Sequence, residues 1–148
     1  MKENIGESLH RLMHNYRHQI RAAALEADIA MPVTHIRSLK CIDKIHNCSA
    51  KDISDKLSLD KSQVTRVLKE LLTKSYITKA SNPENHRSQL LSLTDSGREQ
   101  LSRIMMLEHT AVERMTRNLT DHQIEDFIRI SNIMISDSLS LTECDKQN

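Results

Sequence analysis

The sequence predicts a mainly α-helical chain carrying one small β-hairpin, and three observations lead there. Glycine and proline together number four in 148 residues, so little in the chain punctuates long helices. Apolar residues recur at three- and four-residue steps over most of the length, the period of a helix with one buried face. That period fails in one place, between Tyr76 and Leu93, where two strand-like runs flank a polar loop around Asn82-Pro83.

Taken in order, the first helix is predicted over residues 3–27, with Ile5, Leu9, Leu12, Tyr16, Ile20, Ala23 and Ala27 along one face. Met31-Pro32 interrupts it, because proline disfavours the helical conformation in the residue before it and suits the start of the next helix. A second helix then runs to about Ile45, burying Val33, Ile36, Leu39 and Ile42. Ser49-Ala-Lys-Asp52 has the spacing of a capping box, in which two otherwise orphaned amides are satisfied reciprocally. The short helix behind it turns Ala50, Ile53 and Leu57 inward. Ser58-Leu59 form a tight turn, and Asp60-Lys-Ser-Gln63 restarts a helix that buries Val64, Val67, Leu68 and Leu71. Strands are predicted at 76–80 and 88–93, around a loop at 81–87. Thr94-Asp-Ser-Gly97 opens a helix to about Asn118, and Thr120-Asp-His-Gln123, another capping box, opens a last one to about Leu139.

Two short helices joined by a tight turn, with a β-hairpin directly behind the second, make a winged helix-turn-helix. The predicted division is therefore a winged helix-turn-helix DNA-binding domain at 31–97, dimerisation helices at 1–30 and 98–141, and a flexible tail at 142–148. Ile5, Leu9, Leu12 and Tyr16, with Ile124, Phe127, Ile128, Ile133, Met134 and Leu139, carry more apolar surface than a small winged domain covers. A two-fold dimer is the natural outlet for it.

Several function classes are excluded. The aromatics are Tyr16, Tyr76 and Phe127 alone, too few to stack the bases of single strands. No glycine-rich phosphate loop, nucleophile elbow or catalytic triad spacing is present, so the chain is not expected to be an enzyme and no cofactor is expected. The polar N-terminus and the lack of a long apolar run imply a cytoplasmic, nucleoid-associated protein with no membrane partner. Cys41, Cys48 and Cys144 do not make a disulfide framework, and the first two read as small buried hydrophobes. His10, His14 and His18 recur every four residues opposite the Leu9/Leu12/Tyr16 face and read as a solvated stripe rather than a metal site. Charge is uneven: residues 49–98 carry nine Lys/Arg against six Asp/Glu, whereas residues 99–148 carry five against nine. A basic middle points to one surface that meets phosphate.

The segments Leu59-Asp-Lys-Ser-Gln-Val-Thr-Arg-Val-Leu-Lys-Glu-Leu71, Asn82-Pro-Glu-Asn-His-Arg87 and Leu91-Ser-Leu-Thr-Asp-Ser-Gly97 resemble the MarR family of bacterial regulators, over roughly residues 5–140. The resemblance implies a homodimer with intertwined terminal helices whose recognition helices and wings grip a pseudo-palindromic duplex. It also implies a repressor (or activator) modulated by a small-molecule effector bound between the lobes. Two departures stand out. Asn82 and Asn85 replace wing aspartates, so Arg87 is expected to be held more loosely than by a carboxylate. Ser75 replaces a glycine, at a cost of about 1 kcal/mol if its backbone is left-handed.

The residues themselves support the same chemistry. Ser62, Gln63 and Arg66 project from the first two turns of the fourth helix, where a helix docked in a major groove meets base edges. Gln63 suits adenine and Arg66 suits guanine. Lys61, Thr65 and Lys69 lie beside them and are expected on phosphates. Arg87, flanked by Asn85 and His86 at the wing tip, is placed for a minor groove. The rival reading is a helical dimer that keeps this fold but works through protein contacts, with weak or no specific DNA binding. Met13, Met105, Met106, Met115 and Met134 are either core filler or the lining of an adaptable ligand pocket.

Overall fold

The computed structural model describes the backbone of residues 4–145 and the side chains of residues 4–138. Its elements run α1 (Ile5–Glu26), α2 (Val33–Lys44), α3 (Ala50–Leu57), α4 (Lys61–Thr73), β1 (Ile77–Ser81), β2 (Gln89–Leu93), α5 (Asp95–Thr116) and α6 (Asp121–Asp145). Each predicted element is present. The first strand starts one residue later than expected, and α6 runs on to Asp145, past the expected end near Leu139 and into the segment read as a tail. By compactness the chain divides into residues 1–111 and 112–148, with the division falling inside α5.

In the first unit one core joins α2, α3, α4, the hairpin and the start of α5. Leu39, Ile53, Leu71 and Ile104 are fully buried there, with Val64, Val67, Leu68, Ile77, Leu91 and Leu93 around them. The faces predicted for α4 are thus the ones observed. Two first-turn expectations fail: Val33 is 64% exposed and Ala50 is exposed as well. Both open their helices, where the chain is still entering the packed layer, so a helical period assigns them a face that the core does not reach. A smaller cluster of Ala23, Ile29 and Leu107 packs α1 against α5.

Local chemistry fixes the boundaries. Ser49 and Asp52 form the predicted capping box at α3, and Asp60 and Gln63 form one at α4. Thr120 and Gln123 exchange the same pair of bonds before α6. The C-termini are more unusual. Asp28, Asn47, Ser58 and Ser75 all have positive φ, and no glycine does. At Ser75 (φ 62°) the Tyr76 N–H donates to the Leu71 carbonyl and the Ser75 N–H to that of Leu72, the paired bonds of a Schellman motif.

The two strands pair antiparallel from Ile77↔Leu93 to Ser81↔Gln89. Thr94 then locks the hairpin, the end of α4 and α5 together: its hydroxyl donates to the Ser75 carbonyl (2.6 Å) and accepts the Gly97 N–H (3.0 Å). A Cβ on Gly97 would lie 2.0 Å from the Tyr76 carbonyl oxygen, so this position requires glycine. The Leu91 N–H also donates to the Cys48 carbonyl (2.8 Å), tying the hairpin to the start of α3.

Candidate nucleic-acid interface

Because Val64, Val67, Leu68 and Leu71 anchor one side of α4 in the core, its opposite side is fixed facing solvent. Lys61, Ser62, Thr65, Arg66 and Lys69 gather there around a shallow open depression of about 550 Å³. Five of the six predicted recognition-helix residues are brought together in this way. Arg66 is exposed and its guanidinium has no partner among the described residues.

Two of the predicted contacts carry internal commitments. The Gln63 side-chain oxygen accepts the Asp60 N–H (3.0 Å), while Asp60 accepts the Gln63 N–H (2.8 Å). A two-point adenine contact needs both the oxygen and the NH2 of an amide, so Gln63 would have to share that oxygen's two lone pairs between the cap and the base, or turn away from the cap. The Thr65 hydroxyl donates to the Lys61 carbonyl (2.8 Å). Its remaining lone pairs can only accept, and phosphate oxygens offer nothing to accept from, so Thr65 must rotate before it can touch the backbone of DNA.

The wing loop is organised by its two asparagines. The Asn82 side-chain oxygen accepts the Glu84 N–H (3.0 Å), and its NH2 donates to the Ser88 hydroxyl (3.2 Å). The Asn85 oxygen accepts the Arg87 N–H (3.1 Å). Asn85 therefore shapes the backbone under Arg87 instead of holding the guanidinium, which leaves that group at the exposed tip with His86 beside it. An amide oxygen fills the backbone-capping role as well as a carboxylate oxygen does, which accounts for the tolerance of Asn at both sites.

Sequence reasoning missed two polar links made by α2. His35, buried in α2, meets Glu70 of α4 through Nε2 and Oε2 at 2.5 Å. The two lie thirty-five residues apart, and no spacing rule connects them. A second link, Lys40 to Glu108, ties α2 to α5.

The remaining candidates resolve simply. Cys41 and Cys48 are both buried. Burial pushes the Cys48 thiol up to about 11, with the Asp52 carboxylate and Cys41 adding to it. Burial also raises Cys41, against the opposing pull of Lys56 and Arg37. His10, His14 and His18 are exposed along α1. Leu9, Leu12, Tyr16 and Ile5 are exposed too, as are Phe127, Ile128, Ile133 and Met134 in α6, while Ile124 is half-buried. Ile130 and Ile135 join these apolar faces without having been singled out, and so does Met13, expected as core filler or pocket lining but exposed. The Leu139 side chain and Cys144 lie outside the described side chains. Among the described residues no helix is long and apolar enough to cross a membrane.

Comparison with known proteins gives this geometry its context. Residues 31–89 match the model of the MarR family. Over 88 residues the chain is 30% identical to the HTH-type transcriptional regulator BilQ of Clostridioides difficile (strain CD3), covering 60% of each protein. It is 26% identical over 101 residues to the HTH-type transcriptional regulator PapX of Escherichia coli, covering 68% of this chain and 62% of that one. The chain thus spans about three-fifths of the curated relatives it matches. Its fold superposes on a MarR transcriptional regulator from Methanosarcina mazei Go1 with a TM-score of 0.78, at 18% identity, over 93% of this chain and 97% of that one. For an E. coli MarR mutant complexed with operator DNA the TM-score is 0.73 at 19% identity, over 88% and 92%.

Proposed function

We propose, from the match of residues 31–89 to the MarR family model, that the chain is a MarR-type homodimeric transcriptional regulator that binds a pseudo-palindromic duplex. The observation that carries the reading is the fixed outward face of α4, on which Lys61, Ser62, Thr65, Arg66 and Lys69 converge while the opposite face is locked in the core. A helix held so rigidly and presenting small polar and basic side chains is what major-groove reading requires. Arg66 reads a base edge, Lys61 and Lys69 meet phosphates, and Arg87 enters the neighbouring minor groove. The exposed apolar residues of α1 and of α6 are the dimer surface.

Modulation by a small ligand belongs to the same reading, with repression as the output. An apolar depression of about 310 Å³ between α1 and α5, lined by Ala23, Ile29, Met106 and Leu107 among others, supports it.

The test is duplex binding across a salt series for the wild type, Arg66→Ala and Arg87→Ala. Log affinity should fall linearly with log salt, by about 0.9 per phosphate neutralised. Each Arg→Ala change should weaken binding by about 1–3 kcal/mol. Affinity that ignores salt and both substitutions would instead favour a protein-interaction module built on the same fold.

A further inference from the structure

We propose that His35 is a positioning residue for DNA reading: it holds the Glu70 carboxylate off Arg66 and so keeps that guanidinium open to a base. The inference rests on the reading of α4 as the recognition helix. Glu70 is the single acidic residue within α4, and it stands four residues after Arg66 and four before Lys74. At that spacing opposite charges on a helix surface are neighbours and pair. Arg66, Lys69, Glu70, Thr73 and Lys74 line one open depression, so the carboxylate has cations within its reach.

It takes none of them. Glu70 Oε2 is bonded to His35 Nε2 at 2.5 Å, although the Glu70 side chain is 51% exposed and that of His35 only 7%. The imidazole Nδ1 also lies 3.4 Å from the hydroxyl of the exposed Thr34, and His35 itself is buried in α2 along with Ser38 and Leu39. With Oε2 tethered to a buried ring the carboxylate stands off Arg66, and the two make no ion pair. Free, it would offer the guanidinium a two-oxygen partner that competes directly with guanine O6 and N7. The bond thus links the core to the reading surface through a residue that never touches DNA.

The experiment compares His35→Phe, His35→Gln, Glu70→Ala and the double variant His35→Phe/Glu70→Ala, each shown to be folded by a cooperative thermal transition. Two readouts are taken: affinity for a selected duplex, and the NMR signal of the Arg66 guanidinium in the DNA-free protein. His35→Phe should weaken specific binding about tenfold, the scale of one lost base contact, and should shift and slow exchange at the Arg66 signal. Adding Glu70→Ala should restore both readouts, which a merely structural role for His35 would not allow. His35→Gln, whose amide N–H reaches where Nε2–H does, should stay near wild type. On an Arg66→Ala background His35→Phe should add no further loss. A loss that persists in the double variant, or an Arg66 signal unmoved because the freed carboxylate turns to Lys74, overturns the proposal. Should the wild type bind no duplex DNA, the functional reading falls by itself, and the Arg66 signal alone decides whether His35 restrains Glu70.

Discussion

Ser75 sits at φ 62° between α4 and the hairpin, in a conformation that costs a side-chain-bearing residue about 1 kcal/mol relative to glycine. Ser75→Gly should therefore stabilise the protein by about 0.5–1 kcal/mol in urea unfolding, an effect reduced by glycine's freer unfolded chain. Gly97 is the opposite case. Its missing Cβ makes room for the Tyr76 carbonyl, so Gly97→Ala should destabilise by about 2–3 kcal/mol as the hairpin is forced off α5. Cys48 gives a pH signature. Its folded thiol is raised to about 11, above its ordinary value, so the stability it contributes is complete below that ordinary value. That contribution is lost as pH climbs from about 9 toward 11, as the unfolded state ionises and the folded one resists. Chemical unfolding across that window should show a shallower decline for Cys48→Ala than for the wild type. The same reluctance to ionise predicts that native Cys48 resists thiol-specific alkylation at neutral pH, while urea-unfolded protein reacts.

At the scale of elements, what was legible in the sequence were the features that local chemistry decides. Ser49/Asp52, Asp60/Gln63 and Thr120/Gln123 announce helix starts by spacing alone, and each makes its reciprocal bonds. Asp60→Ala should cost about 1 kcal/mol in stability, measured by denaturant unfolding, by leaving the Gln63 N–H unpaired. Less legible were features that need the third dimension. The capping role of Gln63 and its reading role draw on one side-chain oxygen, and spacing alone does not reveal that the cap engages it. Val33 and Ala50 fit the apolar period of their helices but stand beyond the rim of the core. His35 and Glu70 meet only because α2 and α4 cross, so neither residue's neighbours in the chain foretell the pair. The wing shows a milder version: the asparagines were visible as departures, but their work on the backbone at Glu84 and Arg87 was not.

For the whole molecule, the apolar residues left exposed on α1 and on α6 are what the proposed assembly rests on. Leu9, Leu12, Tyr16, Phe127 and Ile133 in water are costly to a lone chain, and covering them with a second copy removes that cost. Light scattering should give a particle of twice the 17.0 kDa chain mass, and Phe127→Asp or Leu12→Asp should return it toward one chain. A two-fold dimer carries two α4 helices and two wings, and so demands a duplex with matching two-fold symmetry. The measurement that meets this claim most directly is selection of bound fragments from random duplex DNA at near-physiological salt, followed by sequencing. The account predicts an enriched motif of two inverted half-sites, lost from the selection when Arg66 is replaced by alanine. Folded, dimeric protein that enriches no sequence would contradict it.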